Sequence, residues 1–181
     1  MQIEHLPMEG LALAHDIAHS DARGQFSRLY CQESLVSILG GRSIAQINHS
    51  VTDHAGTLRG LHFQRSPHAE MKLIRCLRGA VYDVAVDLRP SSTSFKQHSA
   101  VELRAGDGQL LVIPEGFAHG FQTLADHTEL LYLHTAPYAA SHESGIRYDD
   151  PELAIAWPLR VSQISARDAN LPGWSANHDG G

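Results

Sequence analysis

The chain has 181 residues, 43% hydrophobic and 19% charged, which fits one folded domain with a core and excludes a disordered chain. Asp and Glu number 20 against 14 Lys and Arg, and this net charge of −6 argues against a nucleic-acid binder while leaving room for a pocket with a few arginines. No run approaches the ~20 apolar residues of a membrane helix, the opening MQIEHLPMEG lacks a basic and apolar leader, and Cys31 and Cys76 lack metal-site spacing. A soluble protein in a reducing cytoplasm, with no membrane partner, is the expectation.

In chain order, residues 32–39 predict one short helix, stopped by Gly40-Gly41. From 56 to 134 short apolar runs alternate with turn signals. The runs are 57–64, 72–78, 80–88, 98–103, 110–113, 117–124 and 129–134, broken by Arg65-Ser66-Pro67-His68, Gly79, Pro90-Ser91-Ser92, the 105–108 turn, Pro114-Glu115-Gly116 and Ala125-Asp126-His127. Within 80–88, Tyr82, Val84, Val86 and Leu88 alternate with Val81, Asp83, Ala85 and Asp87, a period of two that reads as a strand. Strands at roughly 8–12-residue spacing predict an antiparallel sandwich or barrel. Residues 135–181, with Pro137, Pro151, Pro158 and Pro172, read as loops, turns and a frayed polar tail.

Two motifs carry chemistry. In Gly56-x5-His62-Phe63-Gln64, alternation puts Arg59, Leu61 and Phe63 on one face and His62 and Gln64 on the other. In Gly108-x5-Pro114-x-Gly116-x2-His119 the later metal motif of cupin barrels is present, with Thr123 where Asn is frequent. The earlier cupin motif is half present, because Gln64 replaces its second histidine. A catalytic metal takes three protein ligands; here His62 and His119 are present, and Glu70 is the candidate third. Taken singly, His62 reads as a hydrogen-bonded core histidine. Tyr132 reads as a buried strand aromatic, Asp168 as a loop or cap residue, Lys72 as a solvated strand-end lysine and Arg59 as an exposed cross-strand partner. Asp83 and Asp87 read as structural, Tyr82, Phe95, Phe117 and Phe121 as core, and His5, His15, His19, His54, His68, His98, His127, His142 and His178 as surface.

Longer segments resemble the dTDP-4-dehydrorhamnose 3,5-epimerases, metal-free cupin-like enzymes acting on nucleotide sugars. The matching segments are Asp21-x-Arg23-Gly24, Gln46-x-Asn48-His49-Ser50, LRGLHFQ at 58–64, KLIRCLRGAVYDVAVDLR at 72–89, IPEGFAHGF at 113–121 and LYLHTAPY at 131–138. Glu143, Asp149-Asp150-Pro151 with Trp157-Pro158, and the 165–169 stretch SARDA complete the resemblance over residues 15–172. It implies an all-β, cupin-like jelly-roll barrel (a double-stranded β-helix) with a few short helices, one domain over 1–172 and a polar tail over 173–181, and a homodimer. It implies no cofactor and no metal ligands.

The chemistry fits the residues the resemblance selects. A hydrogen beside a ketone is removable because the carbanion delocalises onto oxygen, so inverting the centre takes a base on one face and an acid on the other. His62 matches the base, with an ordinary pKa near ~6.5. Asp168 matches the carboxylate that orients it, Tyr132 the acid, and Lys72 the cation beside the substrate carbonyl. Arg23, Arg59 and His119 match contacts to the sugar nucleotide, guanidinium forks being suited to diphosphate oxygens. Gln46 and Asn48 match polar contacts around the nucleotide, Tyr138 the aromatic that stacks on the base, and Glu143 and Arg167 further ligand contacts. A dTDP-linked sugar is the expected substrate.

The chain departs from the family pattern at three places. Arg28 replaces an acid that would accept from the thymine edge, His19 replaces an aromatic, and Tyr148 replaces a tryptophan. Pointing inward, Arg28 favours acceptors such as guanine O6/N7 or cytosine O2/N3; pointing outward, it leaves thymine acceptable. A single-centre epimerase on a dTDP, GDP or CDP sugar, a metal-dependent cupin oxygenase or isomerase using His62 and His119, and a non-catalytic sugar-binding cupin are the alternatives.

Overall fold

In the computed structural model, which describes residues 1–174, the alternating runs pair into two sheets. One carries, in spatial order, β1 (Gln2–His5), β2 (Ala12–His15), β10 (Gln109–Ile113), β7 (Lys72–Arg78), β12 (Thr128–His134) and β5 (Gln46–Thr52). The other carries β13 (Glu143–Gly145), β6 (Thr57–Gln64), β11 (Phe117–Thr123), β8 (Ala80–Asp87) and β9 (His98–Arg104). All pairs are antiparallel except that of β14 (Gln163–Ile164), which joins β6 in parallel. A separate hairpin pairs β3 (His19–Asp21) with β4 (Gly24–Phe26). This is the antiparallel barrel that the strand spacing predicts, in the jelly-roll form that the family resemblance implies.

Three apolar clusters explain why the sheets hold together. Leu13, Ile74, Cys76, Val81, Ala85, Leu111, Phe117, Phe121 and Leu130 meet between the sheets. Leu35, Leu39, Leu73, Leu110, Val112 and Leu133 cover the outer face of the first sheet. Leu61, Val84, Val86, Ala118, Ile146, Leu153 and Trp174 cover the outer face of the second. Strands buried on both faces lose the polar-out alternation, and β11 is accordingly buried at every position. Phe117 and Phe121 lie in the core, while Tyr82 and Phe95 are partly buried against it.

Several expectations need correction. The helix predicted over 32–39 is one turn, α1 (Val36–Leu39), with Leu35 at its N-cap and no side-chain cap bond. It forms because Leu35 and Leu39 are pinned on the sheet. The region after 135, read as loops and a tail, contains a 3₁₀ turn (Ala140–His142), β13, β14 and α2 (Ala166–Ala169). Trp174, assigned to the polar tail, is 4% exposed, and its N–H donates to Asp150 Oδ2 at 2.7 Å, so packing continues past residue 172. Residues 175–181 of that tail, and His178, lie outside the described residues. His5, His19, His54 and His127 are exposed, but His15, His68, His98 and His142 are half-buried. Both cysteines are free; burial first of all pushes the Cys76 thiol up to about 11.

One irregularity positions the site. Along β6 and β11, His62 pairs with His119 but Arg59 with Phe121, so β6 carries an extra residue at Gly60-Leu61. The bulge overturns the expected alternation: Arg59 and His62 line the same cavity, while Leu61 packs outside. Only glycine fits there. Gly60 has φ +118°, and a Cβ on it would lie 2.5 Å from Gly120 Cα. Gly60→Ala is therefore expected to destabilise the protein by roughly 2–4 kcal/mol, lowering Tm by about 5–15 °C. Gly106→Ala, at φ +90° in open space, should cost about 1 kcal/mol. Equal losses for the two in thermal unfolding would show that the strand contact is not what demands glycine.

Candidate active site

Between the sheets opens a cavity of about 660 Å³, within the range of small-molecule sites. Strands of both sheets wall it. His62 and Arg59 come from β6 and His119 from β11; facing them are Lys72 on β7, Asn48 on β5, and Tyr132 and His134 on β12. The loop residue Tyr138, Glu143, and Arg167 and Asp168 of α2 close the rim.

Asp168 reaches His62 because β14 adds beside the start of β6 and Ser165 then caps α2, its hydroxyl accepting Asp168 N–H at 3.0 Å. Asp168 Oδ1 lies 2.8 Å from His62 Nε2, and Oδ2 accepts the Gly60 N–H of the bulge at 3.0 Å. Burial pushes this carboxyl up, but the bonds from His62, Gly60 and Ser165 outweigh it and hold it below the ordinary carboxylate range. An ionised Asp168 accepts Nε2–H, which leaves the His62 lone pair on Nδ1.

Lys72, which taken singly reads as a solvated strand-end lysine, is 8% exposed. Its ammonium donates to the His62 carbonyl at 3.1 Å and lies 3.6 Å from Glu70 Oε1. Burial lowers the affinity of Lys72 for its proton, and Glu70 foremost, with Glu143 and Asp83, opposes that. Tyr132 packs partly buried on the inter-sheet core. Burial, then the Asp83 charge, raise its phenol well above the ordinary value, against Arg59.

At the rim, Glu143 accepts from Tyr138 Oη at 2.6 Å and pairs with Arg167 at 2.7 Å. Arg59 donates only to Val51 O and Thr52 Oγ1, at 3.5 and 3.3 Å, and has no carboxylate partner among the described residues. Tyr138 is 56% exposed, an open ring face.

Three predicted residues stand outside the cavity wall. Arg23 pairs with Asp21 on the exposed hairpin, and Arg28 is exposed with its guanidinium 3.8 Å from Cys31 Sγ. Gln46 stands behind the wall, its Oε1 accepting Tyr138 N–H at 3.0 Å and its Nε2 donating to Asn48 Oδ1. The three residues considered for a metal are committed elsewhere: His62 to Asp168, His119 to Asp83, and Glu70 to His134 at 2.8 Å. Among the described residues no three His, Cys, Asp or Glu side chains converge in a metal-holding group. Sequence reasoning missed His134 as a wall residue and Asp83 as the buried partner of His119. The shared inward period of Asp83 with Val81 and Ala85 was the signal for Asp83.

Fold and site together define a cupin-like barrel whose cavity sets a carboxylate-held histidine on one sheet against a phenol and an ammonium on the other. The family profile described as dTDP-4-dehydrorhamnose 3,5-epimerase matches residues 5–176, and the chain belongs to that family. The dTDP-4-dehydrorhamnose 3,5-epimerase of Escherichia coli (strain K12) is 42% identical over 173 residues, covering 94% of this chain and 93% of the relative. The crystal structure of the Bacillus anthracis str. Ames enzyme, with TDP and PPi bound, superposes with a TM-score of 0.91 at 40% identity, covering 95% of this chain and 98% of that one. The Legionella pneumophila Philadelphia 1 enzyme in complex with dTDP-4-keto-L-rhamnose superposes with a TM-score of 0.89 at 36% identity, covering 95% and 92%.

The depressed Asp168 pKa has a consequence for stability. A carboxylate with a folded pKa below its unfolded value stabilises the protein above the unfolded value, and that contribution is lost as pH falls through the folded one. Asp168→Asn should therefore lower Tm at pH 7, and the gap to the unsubstituted protein should narrow between pH 5 and pH 3. A gap that stays constant with pH would show that Asp168 is not ionised in the pair.

Proposed function

We propose that the chain inverts C3 and C5 of dTDP-4-dehydro-6-deoxy-D-glucose, giving dTDP-4-dehydro-L-rhamnose, without cofactor or metal. His62 Nδ1 takes the proton from the carbon beside the C4 ketone, and the electron pair moves onto the ketone oxygen. The Lys72 ammonium stabilises this enolate, where a charge-directed donor in a dry site is worth most. Tyr132, on the opposing sheet, returns a proton from the other face; its raised pKa keeps it protonated, as an acid must be. Imidazolium and phenolate then exchange protons with solvent, so each centre is inverted with no net change in atoms or electrons. The observation that carries this reading is the pairing of His62 with Asp168 across the cavity from Tyr132, with Lys72 bound to the His62 carbonyl.

Arg59, free of carboxylates inside an acidic chain, suits a diphosphate, and the exposed Tyr138 ring suits a stacked base. With Arg28 outside its own cavity, thymine needs no guanidinium-compatible edge. A homodimer belongs to the same reading. The outer edge of β5 is unpaired in its sheet, and Phe26, Ile17, Ile47 and Val51 are 74%, 64%, 61% and 53% exposed. An open strand edge and exposed apolar side chains invite association, and a second copy would carry its own Arg23 and Arg28 with it. A cytoplasmic setting is part of the reading, supported by two free thiols.

In deuterated water with the dTDP sugar, NMR should show deuterium at both C3 and C5, undiminished after exhaustive chelation. His62→Ala should lower exchange by ~10²–10⁴. Tyr132→Phe should exchange without completing inversion, and unchanged epimer formation in it would remove Tyr132 from the mechanism. Sedimentation velocity should give the mass of two chains, and of one for the double variant Phe26→Glu/Ile47→Glu; a monomeric unsubstituted protein would defeat the dimer.

A further inference from the structure

The mechanism above uses Lys72 but leaves unexplained the two polar side chains packed behind it, Glu70 and His134. Glu70 stands on the loop before β7 with its side chain only 8% exposed, and the side chains of Lys72 and His134 are 11% and 12% exposed. Glu70 Oε2 accepts His134 Nδ1–H at 2.8 Å, and Oε1 lies 3.6 Å from Lys72 Nζ. The ammonium is thus held between this carboxylate and the carbonyl of His62 itself, 3.1 Å away.

The chain of contacts continues to the rim. Asn48 Nδ2 donates to His134 Nε2 at 3.4 Å, Gln46 Nε2 to Asn48 Oδ1 at 3.1 Å, and the Tyr138 N–H to Gln46 Oε1 at 3.0 Å. Every donor meets an acceptor when His134 carries its proton on Nδ1, which aims that proton at Glu70. The His134 ring also stacks on Tyr132, centroids 6.0 Å apart and planes 16° apart. One histidine therefore braces both the phenol and the carboxylate beside the ammonium.

We propose that Glu70, held by His134, is a positioning residue of the epimerase: its carboxylate fixes the Lys72 ammonium in place and keeps it charged beside the enolate oxygen. The proposal rests on the epimerase reading of the cavity. It follows from where the charges sit. A buried ammonium without a counter-ion loses its proton readily, and a neutral amine stabilises an enolate far less. The other charged and titratable groups around the cavity are Glu143 and Asp83, which also favour the ammonium, and Arg59, His62, His119, Tyr132, His134, Tyr138, Arg167 and Asp168. Glu70→Gln alters none of these side chains, though it takes from His134 its charged partner.

The chain has lysine only at positions 72 and 96, so labelling lysine with carbon-13 at Cε gives two signals that titrate separately, and Lys96→Arg assigns them. In Glu70→Gln the Lys72 midpoint should fall by about one pH unit or more while Lys96 stays put. At pH 8 kcat should drop ~10–100-fold, with KM changed less than about threefold and activity recovering toward lower pH. Glu70→Asp, which keeps the charge, should restore the Lys72 midpoint. An unmoved midpoint in a folded Glu70→Gln would overturn the proposal, whatever the rate. Should that variant not fold, His134→Ala decides: kcat should fall about tenfold, and an unchanged kcat overturns it. Absence of solvent exchange by the unsubstituted protein would instead defeat the epimerase reading, with the lysine titration still reporting on Glu70.

Discussion

The site depends on one extra residue in one strand. Where β6 crosses β11 at Gly60 and Gly120, the backbones approach so closely that neither position tolerates a Cβ: on Gly120 it would lie 2.8 Å from Arg59 O. The bulge that accompanies this approach does two things at once. It turns Arg59 to the side of His62, so that a guanidinium and an imidazole share a wall. It also takes the Gly60 N–H out of the ladder and offers it to Asp168. A regular strand would have pointed Arg59 away and left Asp168 with one hydrogen bond fewer to keep it ionised. Bulges recur beside active sites because they re-aim side chains in this way.

From that bulge the electrostatics can be followed round the cavity. Each carboxylate in the wall has a dedicated partner: Asp168 with His62, Glu143 with Arg167 and Tyr138, Glu70 with His134 and Lys72. Taking an ion out of water costs several kcal/mol unless a partner restores the lost solvation, so a pocket this rich in buried charge holds together only because the pairs are complete. Arg59 is the exception, exposed and without a carboxylate among the described residues. In a chain of net charge −6, a single uncommitted guanidinium at the cavity mouth gives an anionic ligand a local attraction that the protein as a whole does not.

Much of the barrel was legible because β6 to β12 carry their own punctuation. Period-two runs such as that of Ala80–Asp87 end in glycines and prolines, and the pairing follows. The first strands were not legible: β1, β3 and β4 are three or four residues long and mostly exposed, so no period can show. The C-terminal segment was misjudged for a related reason. Its prolines signal loops, yet Ile146, Leu153 and Trp174 are scattered apolar residues that only tertiary packing gathers. At the site, the residue types at 62, 72, 132 and 168 were readable, but their burial was not. Lys72 looks solvated in sequence because its counter-ion two residues earlier and its cover from β12 are brought by the fold. The facing of Arg59 was misread because a bulge cannot be seen in alternation.

Gln64 shows how a barrel with half of a metal motif is put to another use. The histidine expected there in the cupin pattern offers one ring donor and one acceptor when neutral. The amide of Gln64 makes three contacts: Nε2 donates to His68 O at 2.9 Å and to Pro137 O at 3.3 Å, and Oε1 accepts Ala139 N–H at 2.6 Å. These bonds clamp both flanks of Tyr138, the residue whose ring is left open at the rim and whose own N–H starts the hydrogen-bond chain toward His134. No neutral imidazole could satisfy all three groups. The substitution therefore spends a ligand position on holding the loop that carries Tyr138 at the cavity rim. The buried cation of the cavity is Lys72, on the facing wall, where Glu70 and the His62 carbonyl hold it from either side.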